Sequence, residues 1–238
     1  MIPAMTATSA PGHAALRTAT PLIAAADLGY GGAPVLREVT LDLAPGERVA
    51  LLGRSGAGKS TLLDAVWAAL VAQGQRVALV PQDHGLVPQL SVLRNALMGR
   101  LDDHGALRNL ATFVHPRRAE RDAVAAILTE VGLAPEIDRP VGRLSGGQRQ
   151  RTALARALYR GGDVLVADEP LSAVDPRQAG ALADLLRDRF PTAIVALHDV
   201  GLARRWATRL VGLRQGRILF DRPVEAVDDA RVQALYAP

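Results

Sequence analysis

Residues 53 to 61 read Gly-Arg-Ser-Gly-Ala-Gly-Lys-Ser-Thr and satisfy G-x-x-x-x-G-K-[ST] from Gly53 to Ser60. The pattern constrains a fold only when a strand leads into it and a helix leaves it. Both are present. Arg48 to Leu52 is a short apolar run, and Leu62, Leu63, Val66, Trp67 and Leu70 recur at helical spacing. Glycines let the backbone curl so that successive N–H groups point inward at anion oxygens, and the following helix N-terminus adds partial positive charge. The stretch from Gly53 through Arg54, Ser55, Gly56, Ala57 and Gly58 to Lys59, Ser60 and Thr61 is therefore a candidate phosphate cradle. Lys59 would reach the β- and γ-phosphates of a nucleotide, and the Ser60 hydroxyl would hold Mg²⁺.

Among the 28 basic residues Lys59 is the only lysine; all others are arginine. A chain that uses arginine everywhere else keeps a lysine where a slim point charge is needed. A planar guanidinium fork does not fit the same cradle.

A second strand, which ends in carboxylates, supports the reading. Val164 to Ala167 is apolar and ends in Asp168-Glu169-Pro170. The C-terminal ends of strands are where α/β sheets bind ligands. Asp168 would hold the cation that bridges the phosphates, and Glu169 would orient or deprotonate a water for in-line attack. Leu144-Ser145-Gly146-Gly147-Gln148 resembles another anion site: Ser145 caps a helix and two glycines expose backbone N–H groups. A plain capped helix has no use for two glycines, each costing about 1 kcal/mol.

Strand-like runs at 22–28, 35–43, 48–52, 76–80, 163–167 and 193–197 and helical stripes at 119–131, 145–160, 176–190 and 200–207 give an α/β fold with a mostly parallel sheet covered on both faces. Two further short strands, 210–213 and 218–220, flank a turn at Gln215-Gly216. Ser91 caps a short helix in a segment, 83–115, that is otherwise apolar residues scattered among turn residues. Residues 1–20, rich in Ala, Thr and Pro, read as a disordered tail ahead of one domain, 21–238.

Composition removes several classes. There is no cysteine, which excludes a disulfide scaffold and a Cys-ligated metal. Aromatic residues are 3%, too few for base-stacking platforms, and no dense basic run suits nucleic acid. No apolar run approaches the roughly 18 residues of a membrane span.

In order along the chain, these motifs resemble those of the ATP-binding cassette (ABC) ATPases, over nearly everything from Leu22 to Phe220. Leu144 to Gln148 matches that family's signature, and Gln82 the glutamine that closes its second core strand. Ser172-Ala173-Val174-Asp175 matches a loop that meets the opposite subunit, His198 a histidine that senses the γ-phosphate, and Tyr30 an aromatic that stacks on adenine. The resemblance implies a P-loop NTPase core with a helical signature subdomain at about 83–150. It implies ATP and Mg²⁺ as cofactors, with Ser60, Gln82 and Asp168 at the metal and Glu169, His198 and Gln82 in catalysis. It implies a homodimer in which Ser145, Gly146, Gly147 and Gln148 of one chain, with Asp175, complete the site of the other. It further implies membrane-spanning permease subunits, a solute-binding protein and a place on the cytoplasmic face of the membrane. Leu86 to Gly99 resembles the docking segment of phosphonate importer subunits, so the apolar residues of 86–101 are expected on the surface. A soluble relative working on nucleic acid would carry a coiled-coil insertion or a second cassette, and neither is here. One departure stands out: only about 20 residues lie between the phosphate loop and Gln82, so the usual antiparallel strand pair after the first helix is missing.

Overall fold

The computed structural model describes residues 21–31 and 33–237; the tail expected at 1–20 lies outside them. β1 (Ile23–Tyr30) and β2 (Ala33–Leu41) form an antiparallel pair of their own. The remaining strands are β3 (Arg48–Leu52), β4 (Val77–Val80), β5 (Val164–Asp168), β6 (Thr192–Ala196), β7 (Arg209–Arg214) and β8 (Arg217–Pro223). They make one sheet in the order β4-β5-β6-β3-β7-β8. Every neighbour in it is parallel except the edge hairpin β7–β8, where Gln215 and Gly216 take positive φ.

The parallel strands read as unbroken apolar runs because both faces are covered. Val49 and Leu51 of β3, with Val164 and Val166 of β5, pack on α1 (Lys59–Ala72) through Leu62, Leu63 and Val66. The alternate residues Ala50, Leu52, Leu165 and Ala167 pack on the opposite side. That side carries α5 (Gly146–Arg160), α6 (Pro176–Arg189) and α7 (Val200–Trp206).

The short link after the phosphate-loop helix is real. α1 passes into β4 through Gln73 to Arg76 alone, with Gly74 in the left-handed region. The antiparallel part outside the main sheet is accordingly the two-stranded β1–β2 ribbon.

The helical segment is more ordered than its sequence suggests. It holds α2 (Val92–Leu97), α3 (Ala106–Val114) and α4 (Arg118–Glu130). Ser91 caps α2, accepting from the Arg94 N–H. The expectation of an apolar surface over 86–101 is corrected for α2, while Leu86, Val87, Leu90, Met98 and Leu101 around it are half-buried. Val92, Leu93 and Leu97 are buried in the core beneath α4 and α5, because α2 turns its apolar stripe inward. The exposed apolar side chains are instead Leu107, Leu110 and Val114, all on the outer face of α3. The inner face of that helix is tied down by polar contacts: Asn109 donates to the Leu101 and His104 carbonyls, and Arg94 Nε to the Phe113 carbonyl. The last helix, α8 (Asp229–Tyr236), packs on β7. Among the described residues no helix is long and apolar enough to cross a membrane.

Candidate active site

The chain leaves β3 at Leu52 and turns through Gly53 to Gly58 before α1 begins. The turn requires glycine twice for lack of space: a Cβ on Gly53 would sit 2.5 Å from the Leu213 carbonyl oxygen, and one on Gly58 2.5 Å from Leu36 Cδ2. Gly58 also has a φ of 100°. No side chain caps α1 and no acidic residue occupies its first turn, so its N-terminal N–H groups stay free for an anion. Lys59 is buried, and its ammonium donates to the carbonyl oxygens of Gly53 at 3.0 Å and Arg54 at 3.3 Å. The loop's own backbone therefore holds its cation.

Ser60 lies one residue further on, and its hydroxyl donates to Asp168 Oδ2 at 2.5 Å. Burial pushes the Asp168 carboxyl above its ordinary value, more than the Ser60 hydrogen bond and the nearby Lys59 charge pull it down. A carboxylate short of solvation is one that a cation stabilises. Ser60, Asp64, Gln82, Asp83 and Asp168 line one cavity of about 340 Å³. The donors are hard oxygens, which fits Mg²⁺. Among the described residues no group of three or more His, Asp or Glu forms a self-sufficient cage. A magnesium ion here would take its other ligands from phosphate and water.

The next residue, Glu169, takes a φ of 50°, unusual outside glycine. Its N–H donates to the Ala196 carbonyl at 3.1 Å, and its carbonyl accepts from Gln150 Nε2 at 2.6 Å. β5 and β6 are adjacent and in register, Asp168 opposite Ala196, so the loops that follow them are neighbours. This brings Glu169 Oε1 to 2.5 Å from His198 Nε2. Lys59, Ser60, Asp168 and Glu169 are thus brought together by three adjacent strands, β5, β6 and β3, and His198 joins them. Such an arrangement can cradle a polyphosphate and its cation while offering a carboxylate to an attacking water.

Tyr30 ends β1, is 61% exposed, and its hydroxyl donates to Asp64 Oδ2 at 2.6 Å. That bond raises the phenol's pKa and ties the ring to a residue lining the cavity. Gln82 is exposed just past β4. Its loop is clamped by Arg156, which donates to the His84 carbonyl at 2.6 Å and the Gly85 carbonyl at 2.5 Å.

Ser145 caps α5 in a reciprocal box. Its Oγ accepts from the Gln148 N–H at 3.3 Å, while Gln148 Oε1 accepts from the Ser145 N–H at 2.9 Å. Gly146 faces open space, but a Cβ on Gly147 would meet the Ala173 carbonyl oxygen at 2.6 Å. Gly147 thus has a packing reason to be glycine as well as the exposed N–H that the sequence suggested. None of residues 144 to 148 lines the Ser60–Asp168 cavity. Asp175 caps α6, accepting from the Arg177 N–H at 2.8 Å.

Sequence reasoning passed over Asp64, Gln150 and Arg156. A signal existed for Gln150: it shares the buried stripe of Ala153, Leu154 and Ala157 on α5, an amide among apolar side chains. Its side chain donates to the Glu169 carbonyl and to Ser172 Oγ at 3.3 Å, and accepts from the Ala173 N–H at 2.7 Å.

Comparison with known proteins matches residues 36–172 to the family model described as ABC transporter. The chain is 39% identical over 231 residues to a phosphonates import ATP-binding protein of Anaeromyxobacter dehalogenans, covering 87% of this chain but 46% of that one. It is 38% identical over 231 residues to a phosphite import ATP-binding protein of Stutzerimonas stutzeri, covering 87% and 83%. The fold superposes on a bacterial ABC transporter cassette solved as a dimer, with TM-score 0.71 at 24% identity over 84% of this chain and 97% of that one.

Proposed function

As a member of the ABC transporter family this chain is an ATPase, and we propose that the work it drives is import of a phosphonate or a closely related phosphorus oxyanion. The observation that carries the catalytic half is the placing of two acid groups on one ledge. Asp168, bonded to Ser60, and Glu169, bonded to His198, stand one residue apart beside the phosphate loop.

Each residue then has a role. The loop from Gly53 to Thr61 binds the ATP phosphates, with Lys59 neutralising their charge, and Tyr30 stacks on the adenine. Ser60, Asp168 and Gln82 hold Mg²⁺, which supplies charge neutralisation at the phosphates when bound. Glu169 accepts the proton of the attacking water. His198 holds the Glu169 carboxylate in place and reaches the γ-phosphate. Ser145, Gly146, Gly147 and Gln148, which lie away from the chain's own cavity, complete the site of a second copy in a homodimer, with Asp175 at the contact.

The oxyanion assignment is supported by the names of the relatives, whose solutes share a phosphorus–oxygen headgroup. No residue of this chain touches a solute in the proposal. Permease subunits span the membrane, a separate protein captures the solute, and this chain works at the cytoplasmic face. The outer face of α3, with Leu107, Leu110 and Val114, is available as apolar contact surface for the permease.

Deleting the gene tests the solute. Growth on a phosphonate or on phosphite as the sole phosphorus source is expected to stop, and growth on inorganic phosphate to continue. Undiminished growth of the deletion strain on both sources, with no second importer encoded, would remove the oxyanion assignment.

A further inference from the structure

Two non-glycine residues with left-handed backbone stand in the loops that carry the site: Glu169 after β5 and His84 after β4. A side chain of α5 holds each loop, Gln150 the first and Arg156 the second. The second contact is the less expected. An arginine charge is commonly met by a carboxylate. The Arg156 fork donates instead to two consecutive main-chain carbonyls, His84 at 2.6 Å and Gly85 at 2.5 Å. Consecutive carbonyls share a direction where the backbone is helical and alternate where it is extended. His84, with a φ of 63°, and Gly85, with a φ of 51°, make one left-handed turn that aims both at the fork. Within the turn the His84 N–H donates to the Pro81 carbonyl at 2.9 Å, and the Gly85 N–H to Asp83 Oδ1 at 3.0 Å. The conformation is strained for a histidine, so a hold from outside the turn is what keeps it.

Gln82 lies between the end of β4 and this turn. Gln82 and Asp83 both line the Ser60–Asp168 cavity. Ahead of Gln82 the chain is fixed by the pairing of β4 with β5. Two residues after it the chain is fixed by Arg156. Further on, the buried Asn95 of α2 accepts from the Val87 N–H at 2.8 Å and donates to the Val87 carbonyl at 3.1 Å. Arg156 is therefore the nearer of the two downstream holds on Gln82, and it comes from another element.

We propose that Arg156 is a positioning residue for the cation: by fixing the His84 and Gly85 carbonyls it sets Gln82 against Ser60 and Asp168. The inference rests on the reading of Gln82 as a cation ligand. It adds to that reading a side chain whose own bonds go to the loop.

The experiment uses the full chain. Arg156→Lys keeps the charge and loses the fork. Val124→Ala thins the core under α4 without touching the loop. Gln82→Ala and the double variant Gln82→Ala with Arg156→Lys complete the set. Three quantities are measured: the Mg²⁺ concentration for half-maximal ATP hydrolysis, the melting temperature with and without ATP and Mg²⁺, and amide exchange over residues 82–87. Arg156→Lys is expected to raise the Mg²⁺ requirement roughly fivefold, the scale of one lost hydrogen bond, to speed amide exchange over 82–87, and to reduce the rise in melting temperature given by ATP and Mg²⁺. Val124→Ala is expected to lower the melting temperature and leave the Mg²⁺ requirement alone. In the double variant the Mg²⁺ requirement is expected to match that of Gln82→Ala, because the two residues act in series. An unchanged Mg²⁺ requirement in Arg156→Lys, beside a raised one in Gln82→Ala, overturns this proposal alone. So does a full second increment in the double variant, or a shift that follows melting temperature equally in Arg156→Lys and Val124→Ala. A Gln82→Ala variant with the wild-type Mg²⁺ requirement would remove the cation reading of Gln82, and this inference with it.

Discussion

Glu169 is held in a left-handed backbone conformation that its type rarely adopts, and the surroundings account for it. Gln150 and Ala196 fix its carbonyl and its N–H, and His198 meets its carboxylate. Strain of order 1–3 kcal/mol at such a residue persists only when neighbours over-determine it, and such residues cluster where chemistry happens. The carboxylate is thereby aimed without help from its own rotamer freedom. Replacing Glu169 by Gln keeps the shape and the contact to His198 while removing the proton acceptor. Steady-state ATP turnover is expected to fall by about 10²–10⁴-fold, the usual contribution of a general base, with ATP binding retained. Turnover near wild type in Glu169→Gln, measured by phosphate release, would show that the proton goes elsewhere.

α5 ties the parts together at the scale of elements. Its N-terminus is the Ser145 cap, its middle carries Gln150 to the loop after β5, and Arg156 near its end clamps the loop after β4. One rigid helix thus touches the signature, the Asp168–Asp175 loop and the Gln82 loop, so displacement of one end is felt at the others. Gln150→Leu conserves volume but strips the Glu169 carbonyl and the Ala173 N–H of a partner. A stability loss of about 1–3 kcal/mol is expected from the groups left unpaired. A fall in kcat larger than any change in KM is expected with it, because the Glu169 loop is no longer fixed. A kcat equal to wild type, with the melting temperature lowered, would reduce Gln150 to a structural residue. These links mark where sequence legibility stopped. The strands, α1, α5 and the carboxylate pair were readable because their period and chemistry are local. Gln150, Arg156 and Asp64 act across long sequence separations, onto backbone groups that no motif records. α3 escaped for another reason: Leu107, Leu110 and Val114 face outward, and its half-buried face mixes Asn109 and Thr112 with Phe113, so it lacks the apolar stripe by which buried helices are recognised. The surface expected over 86–101 failed at α2, because an apolar run is equally at home in a core and α2 turns Val92, Leu93 and Leu97 there.

In the function proposed above the chain carries both halves of a nucleotide site, and among the described residues the two halves do not line one cavity. Residues 144–148 are absent from the lining of the Ser60–Asp168 cavity, and they stand at the N-terminus of α5, where Gly146 faces open space. Two copies arranged head to tail would place each half against the other's complement, which is the homodimer proposed above. Paired variants test this without a structure of the complex. Lys59→Ala removes the cation from one cradle, and Ser145→Arg puts a bulky side chain where the partner's γ-phosphate belongs. Either variant alone then has two damaged sites per dimer. Mixed together, one of the two composite sites in each heterodimer is intact: the Ser145→Arg chain supplies an intact loop, and the Lys59→Ala chain supplies an intact signature. ATP-dependent dimer formation, followed by size-exclusion chromatography, is expected to be lost in each variant alone and recovered in part on mixing. Isolated monomers of Ser145→Arg are expected to bind ATP as wild type does. Weakened ATP binding in those monomers, with no recovery on mixing, would place the signature in its own chain's site and end the shared-site reading.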